Sequence, residues 1–204
     1  MEAPPAAPPF TAGRTAISKQ EIADLPIRRY EGPVVLVETA AECDRAMADL
    51  RHERVAGFDT ETRPAFRKGE SYLPCLAQIA TANAVYLFRL ERADFSAALT
   101  EILESPSIIK SGIAIADDLR QLKLLFPFEE KRVIDPGWIA KRQGCPQTGL
   151  RNLAGIFLGF RIPKGSRTSN WAARHLSPAQ IAYAATDAWA CRELYLHFEP
   201  GRML

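Results

Sequence analysis

A single stretch, Val55-Ala56-Gly57-Phe58-Asp59-Thr60-Glu61, does most to limit what this chain can fold into. Its first four residues are apolar or small, as in a strand covered on both faces, and the run then meets two carboxylates two positions apart. Alternate residues of a strand share a face, so Asp59 and Glu61 leave the end of a core strand together. An unpaired carboxylate is costly to bury, and two converging at one place imply a divalent cation. The bland alternative is a strand-end Asp capping a turn with a solvated Glu beside it. This stretch alone does not separate the two.

The flanking sequence alternates between the two secondary-structure periods. Pro33-Val34-Val35-Leu36-Val37 reads as a strand, and Ala40, Cys43, Ala46, Met47 and Leu50 recur at helical spacing between it and Val55. Cys75 to Ala80 and Ala84 to Phe88, separated by Thr81-Ala82-Asn83, predict an antiparallel hairpin. A helix over Phe95 to Leu103, stopped by Pro106, is followed by a strand over Ile108 to Ala114. Further helices follow around Trp138 to Arg142 and Leu150 to Phe160. Ser177-Pro178 places a good N-cap and a proline at N1 ahead of a long helix toward Phe198. The class is α/β, with a mixed central sheet flanked by helices.

At 204 residues the chain fits one domain. Prolines 4, 5, 8 and 9 among small residues mark residues 1–19 as a flexible or loosely docked arm, leaving 20–204 as the folded domain. Ser18 and Glu21 form a capping-box pattern for a short helix at the boundary. The start of the chain lacks a basic segment and an apolar core of the secretory kind, and no apolar run is long enough for a membrane span, so a cytoplasmic location is expected. A net charge of +2 is too mild for a general nucleic-acid footprint, so any polyanion contact is local. Four scattered cysteines and three isolated histidines give no zinc spacing and no histidine-based triad, leaving oxygen ligands for any metal.

Two more acidic features lie downstream. Asp117-Asp118 sits where a strand gives way to a helix; an N-cap role accounts for one of the two acids, leaving Asp118 free to face a site. Tyr183 and Asp187 are four apart on the last helix and share a face. Their plain reading is a structural hydrogen bond, but Ala184, Ala185, Ala188 and Ala190 make that helix so small and apolar that an idle charge there is expensive. Between these features lies Lys164-Gly165-Ser166-Arg167-Thr168-Ser169-Asn170-Trp171, either a phosphate-holding loop with a stacking Trp171 or a solvated loop with Trp171 anchored in the core. The basic stretch containing Arg63, Arg67 and Lys68 also falls next to the Asp59–Glu61 pair and suits a phosphate-bearing ligand.

Asp59-x-Glu61 at a strand end, Asp118 at a strand-to-helix junction and Tyr183-x-x-x-Asp187 on a late helix resemble the three motifs of the DEDD 3′-to-5′ exonucleases. The tyrosine marks the DEDDy branch; the histidine branch would place its His where this chain has Ala182. The text around the motifs is most similar to the ribonuclease D group and to the exonuclease domain of the Werner syndrome helicase, over roughly Val35 to Leu196. Counting from Gly112 and forward to Leu122 selects Asp118 over Asp117.

The resemblance implies an RNase H-like fold and a two-metal hydrolysis of the terminal phosphodiester of DNA or RNA, releasing nucleoside 5′-monophosphates. Asp59, Glu61, Asp118 and Asp187 would hold two Mg²⁺ or Mn²⁺ ions, about 3.5–4 Å apart in such sites, and Tyr183 would orient the attacking water. Lys164, Arg167, Ser169 and Asn170 are expected to contact the strand backbone, with Phe58, Thr60 and Trp171 shaping the terminal-nucleotide pocket. A ribonuclease D also carries a helical C-terminal domain, so a chain ending at Leu204 is expected to be the catalytic domain alone. The rival readings are a catalytically weak nucleic-acid-binding module of the same fold, a phosphohydrolase of small nucleotides, and a scaffold binding a structural cation.

Overall fold

The structure, a computed structural model, describes residues 14–199 apart from 68, 166 and 167. Along the described residues run α1 (Lys19–Asp24), β1 (Val34–Val37), α2 (Ala40–Leu50), β2 (Val55–Thr62), β3 (Pro74–Ala80), β4 (Val85–Arg89) and α3 (Ser96–Glu104). They continue with β5 (Ile109–Ser111), α4 (Ile115–Leu122), β6 (Val133–Ile134), α5 (Pro136–Arg142), α6 (Leu150–Leu153), a π-helical turn (Ala154–Leu158) and α7 (Pro178–Phe198). The strands form one sheet in the order β1-β4-β3-β2-β5-β6. β3 runs antiparallel to both neighbours, and the other pairings are parallel. The expected hairpin is therefore β3–β4, and β2 pairs with β3 on one side and β5 on the other, deep within the sheet.

Alternation along the strands feeds two cores. On one face Phe58, Ala77, Ile79 and Phe88 meet Met47 and Leu50 of α2, Leu99 and Ile102 of α3, and Leu119 and Leu122 of α4. The other face, with Leu76, Ala80 and Leu87, carries Ala184, Ala185 and Ala188 of α7 together with Trp171. The far side of α7 is covered in turn by Leu153, Ile156 and Phe157, so the last helix is buried between sheet and outer helices. Capping boxes at Ser18, Thr39 and Ser177 start α1, α2 and α7, as their side chains dictate.

Three elements differ from the sequence reading. Residues 1–13 of the expected arm lie outside the described residues, but Ile17 is buried, and its backbone N–H and C=O both bond the Gln147 side chain (2.7 and 3.0 Å). The docked part of the chain thus begins before residue 20. The strand expected over 108–114 stops at Ser111, because Ala114 adopts a left-handed conformation (φ 55°) and donates its N–H to Asp135 at 3.0 Å, turning the chain directly into α4. The helix expected from Leu150 passes after one turn into the π-helical turn that ends at Gly159.

Candidate active site

β2 ends in a β-bulge between Glu61 and Thr62, beside the N-terminus of α4 and the middle of α7. Asp59, Glu61 and Asp187 converge there, each offering an oxygen within 4.8 Å of the other two. Asp118, in the first turn of α4, lies on the wall of the same cleft, where the Thr60 hydroxyl donates to its Oδ1 at 2.5 Å. Tyr183 lines the cleft one helical turn from Asp187 and hydrogen-bonds its carboxylate. The cleft measures about 680 Å³, within the range of ligand sites. All four acids and the tyrosine named from the sequence thus face one space.

Asp117 does not cap α4: Ala114 occupies the N-cap, and Asp117 is exposed and paired with Arg120 at 2.6 Å. The capping alternative for the second acid pair falls away, and Asp118 is the one that turns inward.

The electrostatics are those of crowded carboxylates in a poorly solvated site. Burial pushes the Asp187 carboxyl up to about 6, against the opposing pull of the Tyr183 hydrogen bond and the Arg151 charge. Asp118 is likewise pushed up to about 6 by burial, although the Thr60 hydroxyl favours its ionised form. Asp59 is raised well above the usual carboxylate range, first by burial and then by Asp118, Asp187 and Glu61. The Tyr183 phenol is raised by burial and by the neighbouring Asp187 and Glu61, so it stays protonated at neutral pH. Such a set of hard anionic oxygens fits a divalent cation, whose charge offsets this mutual repulsion.

The residues expected to meet substrate divide. Phe58 is 1% exposed and Trp171 wholly buried, and neither lines the cleft. Phe58 alternates with Asp59 and so points to the α4 face of the sheet. Trp171 packs beneath α7 with its ring centroid 6.0 Å from that of Tyr183, a support for the tyrosine rather than a stacking surface. Thr60 lines the cleft but spends its hydroxyl on Asp118. Lys164 is exposed beside Tyr183, lining with Arg29 an adjoining cavity of about 360 Å³. Ser169 and Asn170 both accept from the Gln180 side chain at 3.1 Å, bracing the start of α7. Arg167 and Lys68 lie outside the described residues.

The sequence reading missed the opposite wall, formed by Gly149, Leu150, Arg151 and Asn152 at the start of α6, with Ile113, Ala114 and Cys191. The available signal was the polar Arg151-Asn152 pair inside an otherwise apolar helix.

Residues 34–201 match the family described as 3′–5′ exonuclease. The chain belongs to that family. It is 33% identical over 165 residues to ribonuclease D of Gluconacetobacter diazotrophicus, covering 79% of this chain and 41% of that protein. It is 30% identical over 198 residues to the mouse bifunctional 3′–5′ exonuclease/ATP-dependent helicase WRN, covering 91% of this chain and 14% of that protein. The chain therefore spans less than half the length of these relatives. Among solved structures, the Aedes aegypti Nibbler EXO domain superposes with a TM-score of 0.76 at 22% identity, covering 83% of this chain and 90% of that one. Escherichia coli RNase D superposes with a TM-score of 0.71 at 23% identity, covering 80% and 44%. Both likenesses establish the fold, which is the RNase H-like α/β arrangement of these exonuclease domains.

Proposed function

We infer that this chain is a metal-dependent 3′–5′ exonuclease that hydrolyses the terminal phosphodiester of a DNA or RNA strand and releases nucleoside 5′-monophosphates. The observation that carries the reading is the meeting of Asp59, Glu61 and Asp187 oxygens within 4.8 Å in a cleft also lined by Asp118 and Tyr183. Asp59, Glu61, Asp118 and Asp187 are the residues that would hold two Mg²⁺ or Mn²⁺ ions. Cations bound there supply Lewis-acid stabilisation to the attacking and leaving oxygens of an in-line displacement. Thr60 holds the Asp118 carboxylate in place, and the protonated Tyr183 hydroxyl orients the attacking water. Lys164 and Arg167, with Ser169 and Asn170, contact the strand backbone by charge and hydrogen bonding, which gives sequence-indifferent binding. All four cysteines are free and buried, in keeping with a reducing cytoplasmic setting.

The test is a time course on matched 5′-labelled DNA and RNA strands with Mg²⁺ or Mn²⁺, alongside EDTA and the Asp59→Ala/Glu61→Ala variant. The expected result is a ladder shortening from the 3′ end, absent in EDTA and reduced more than about a hundredfold in the variant, beyond the loss typical of an outer-shell group. Strand binding without a ladder would favour a catalytically weak binding module instead.

A further inference from the structure

Gln78 lies in the middle of β3, wholly buried, and neither its side-chain oxygen nor its nitrogen has a hydrogen-bond partner. A native protein rarely leaves a buried amide unpaired, since desolvating it is costly and an apolar side chain of the same size avoids the loss. The other α7-facing positions of this hairpin follow that rule: Leu76, Ala80, Val85 and Leu87 are apolar, and buried Arg89 is paired with Glu38 and the Ala173 carbonyl. Gln78 is the exception, and its place is specific. The β2–β3 register sets it directly opposite Asp59, with Glu61 opposite Leu76 and Gly57 opposite Ala80. Directly opposed residues of an antiparallel pair share a face, with Cβ atoms about 4.5–5.5 Å apart, a span that a glutamine side chain bridges. Gln78 is thus the residue directly across from the carboxylate at the centre of the acidic cluster, with its amide short of hydrogen-bond contact.

We propose that Gln78 is a positioning residue for that cluster: its amide, unpaired here, turns to donate an N–H to the Asp59 carboxylate when a cation is held, fixing the cleft-facing oxygen in a ligating orientation. Groups behind a metal ligand that fix its orientation are commonly worth a tenfold to hundredfold change in affinity. The role rests on reading Asp59, Glu61 and Asp187 as a cation site.

The test is Mn²⁺ binding, followed by electron paramagnetic resonance, in the unsubstituted chain, Gln78→Met and Leu87→Met. Methionine at 78 keeps the volume and removes the amide, whereas Leu87→Met alters packing on the same face with no amide involved. Gln78→Met is expected to bind Mn²⁺ about tenfold more weakly while melting, free of metal, no lower than the unsubstituted chain; Leu87→Met keeps its affinity. Equal affinity in Gln78→Met, or an equal loss in Leu87→Met, overturns the proposal. Should Gln78→Met not fold, the side-chain NH₂ resonances of Gln78 in the unsubstituted protein decide: Mg²⁺ shifts them if the amide serves Asp59, and unmoved signals overturn the role. Failure of the unsubstituted chain to bind Mn²⁺ at all overturns the cation site itself, and this role with it.

Discussion

The Tyr183 hydroxyl can be removed from this cleft without disturbing the packing of its ring. Its ring lies against Trp171, and the Gly165 backbone lies so close that a Cβ there would stand 2.3 Å from a ring carbon. A phenylalanine preserves all of that and deletes only the donor to Asp187. Tyr183→Phe is therefore expected to lower kcat by about a hundredfold, the scale of losing one positioned donor, with KM and cation affinity within about twofold of the parent. An unchanged kcat would remove Tyr183 from the chemistry. At this scale the sequence was informative where spacing decides geometry. Two residues apart on β2 and four apart on α7 are fixed relations, so Asp59 with Glu61 and Tyr183 with Asp187 could be paired in advance. Phe58 obeys the same alternation, which sends it to the opposite face from Asp59; the resemblance placed it in the terminal-nucleotide pocket, but its parity decides. Trp171 had no such constraint, because its neighbours under α7 come from β3 and β4, remote in sequence.

The helix α7 delivers Asp187 to β2, and it does so through an unusually close approach. A Cβ on Gly57 would lie 1.9 Å from the Ala188 carbonyl oxygen and 2.9 Å from the Arg192 backbone nitrogen. Only a glycine admits the helix backbone at that distance. Arg192 then donates to the Val55 carbonyl at 3.0 Å, and Ser111 Oγ donates to the Cys191 carbonyl at 2.7 Å, so the helix is tied to both β2 and β5. Gly57→Ala must push α7 away from β2. It is expected to cost about 1–3 kcal/mol in urea unfolding, the usual range for overpacking, and to abolish cation binding at temperatures where the variant remains folded. A destabilised variant with intact cation affinity would show that α7 does not set the site's geometry. The start of α7 was legible because Ser177-Pro178 is a local signal, whereas the end of β5 was not. That end depends on a bond from the Ala114 N–H to Asp135, twenty-one residues away.

Across the whole molecule, the crowded acids make stability, pH and metal one linked problem. Asp118 and Asp187 each titrate at about 6, and Asp59 lies well above the usual range, so the folded chain keeps protons that an unfolded chain releases near 4. Their stabilising effect is full below about pH 4 and is lost as the pH rises through 6, and Asp59 extends the loss further upward. His197, whose imidazole is lowered by burial, acts in the opposite sense, since the unfolded chain takes up its proton more readily. Comparing EDTA with excess Mg²⁺ at each pH cancels that contribution and isolates the acids. Protons and cations compete for the same oxygens, and a ligand that binds only the folded state raises its stability in proportion to its effective affinity. The rise in Tm on adding Mg²⁺ should therefore be small at pH 5.5 and reach about 5 °C or more at pH 7.5. The Asp59→Ala/Glu61→Ala chain should lose most of that rise. A Mg²⁺ effect that is the same at both pH values would mean that the cation binds somewhere other than these carboxylates.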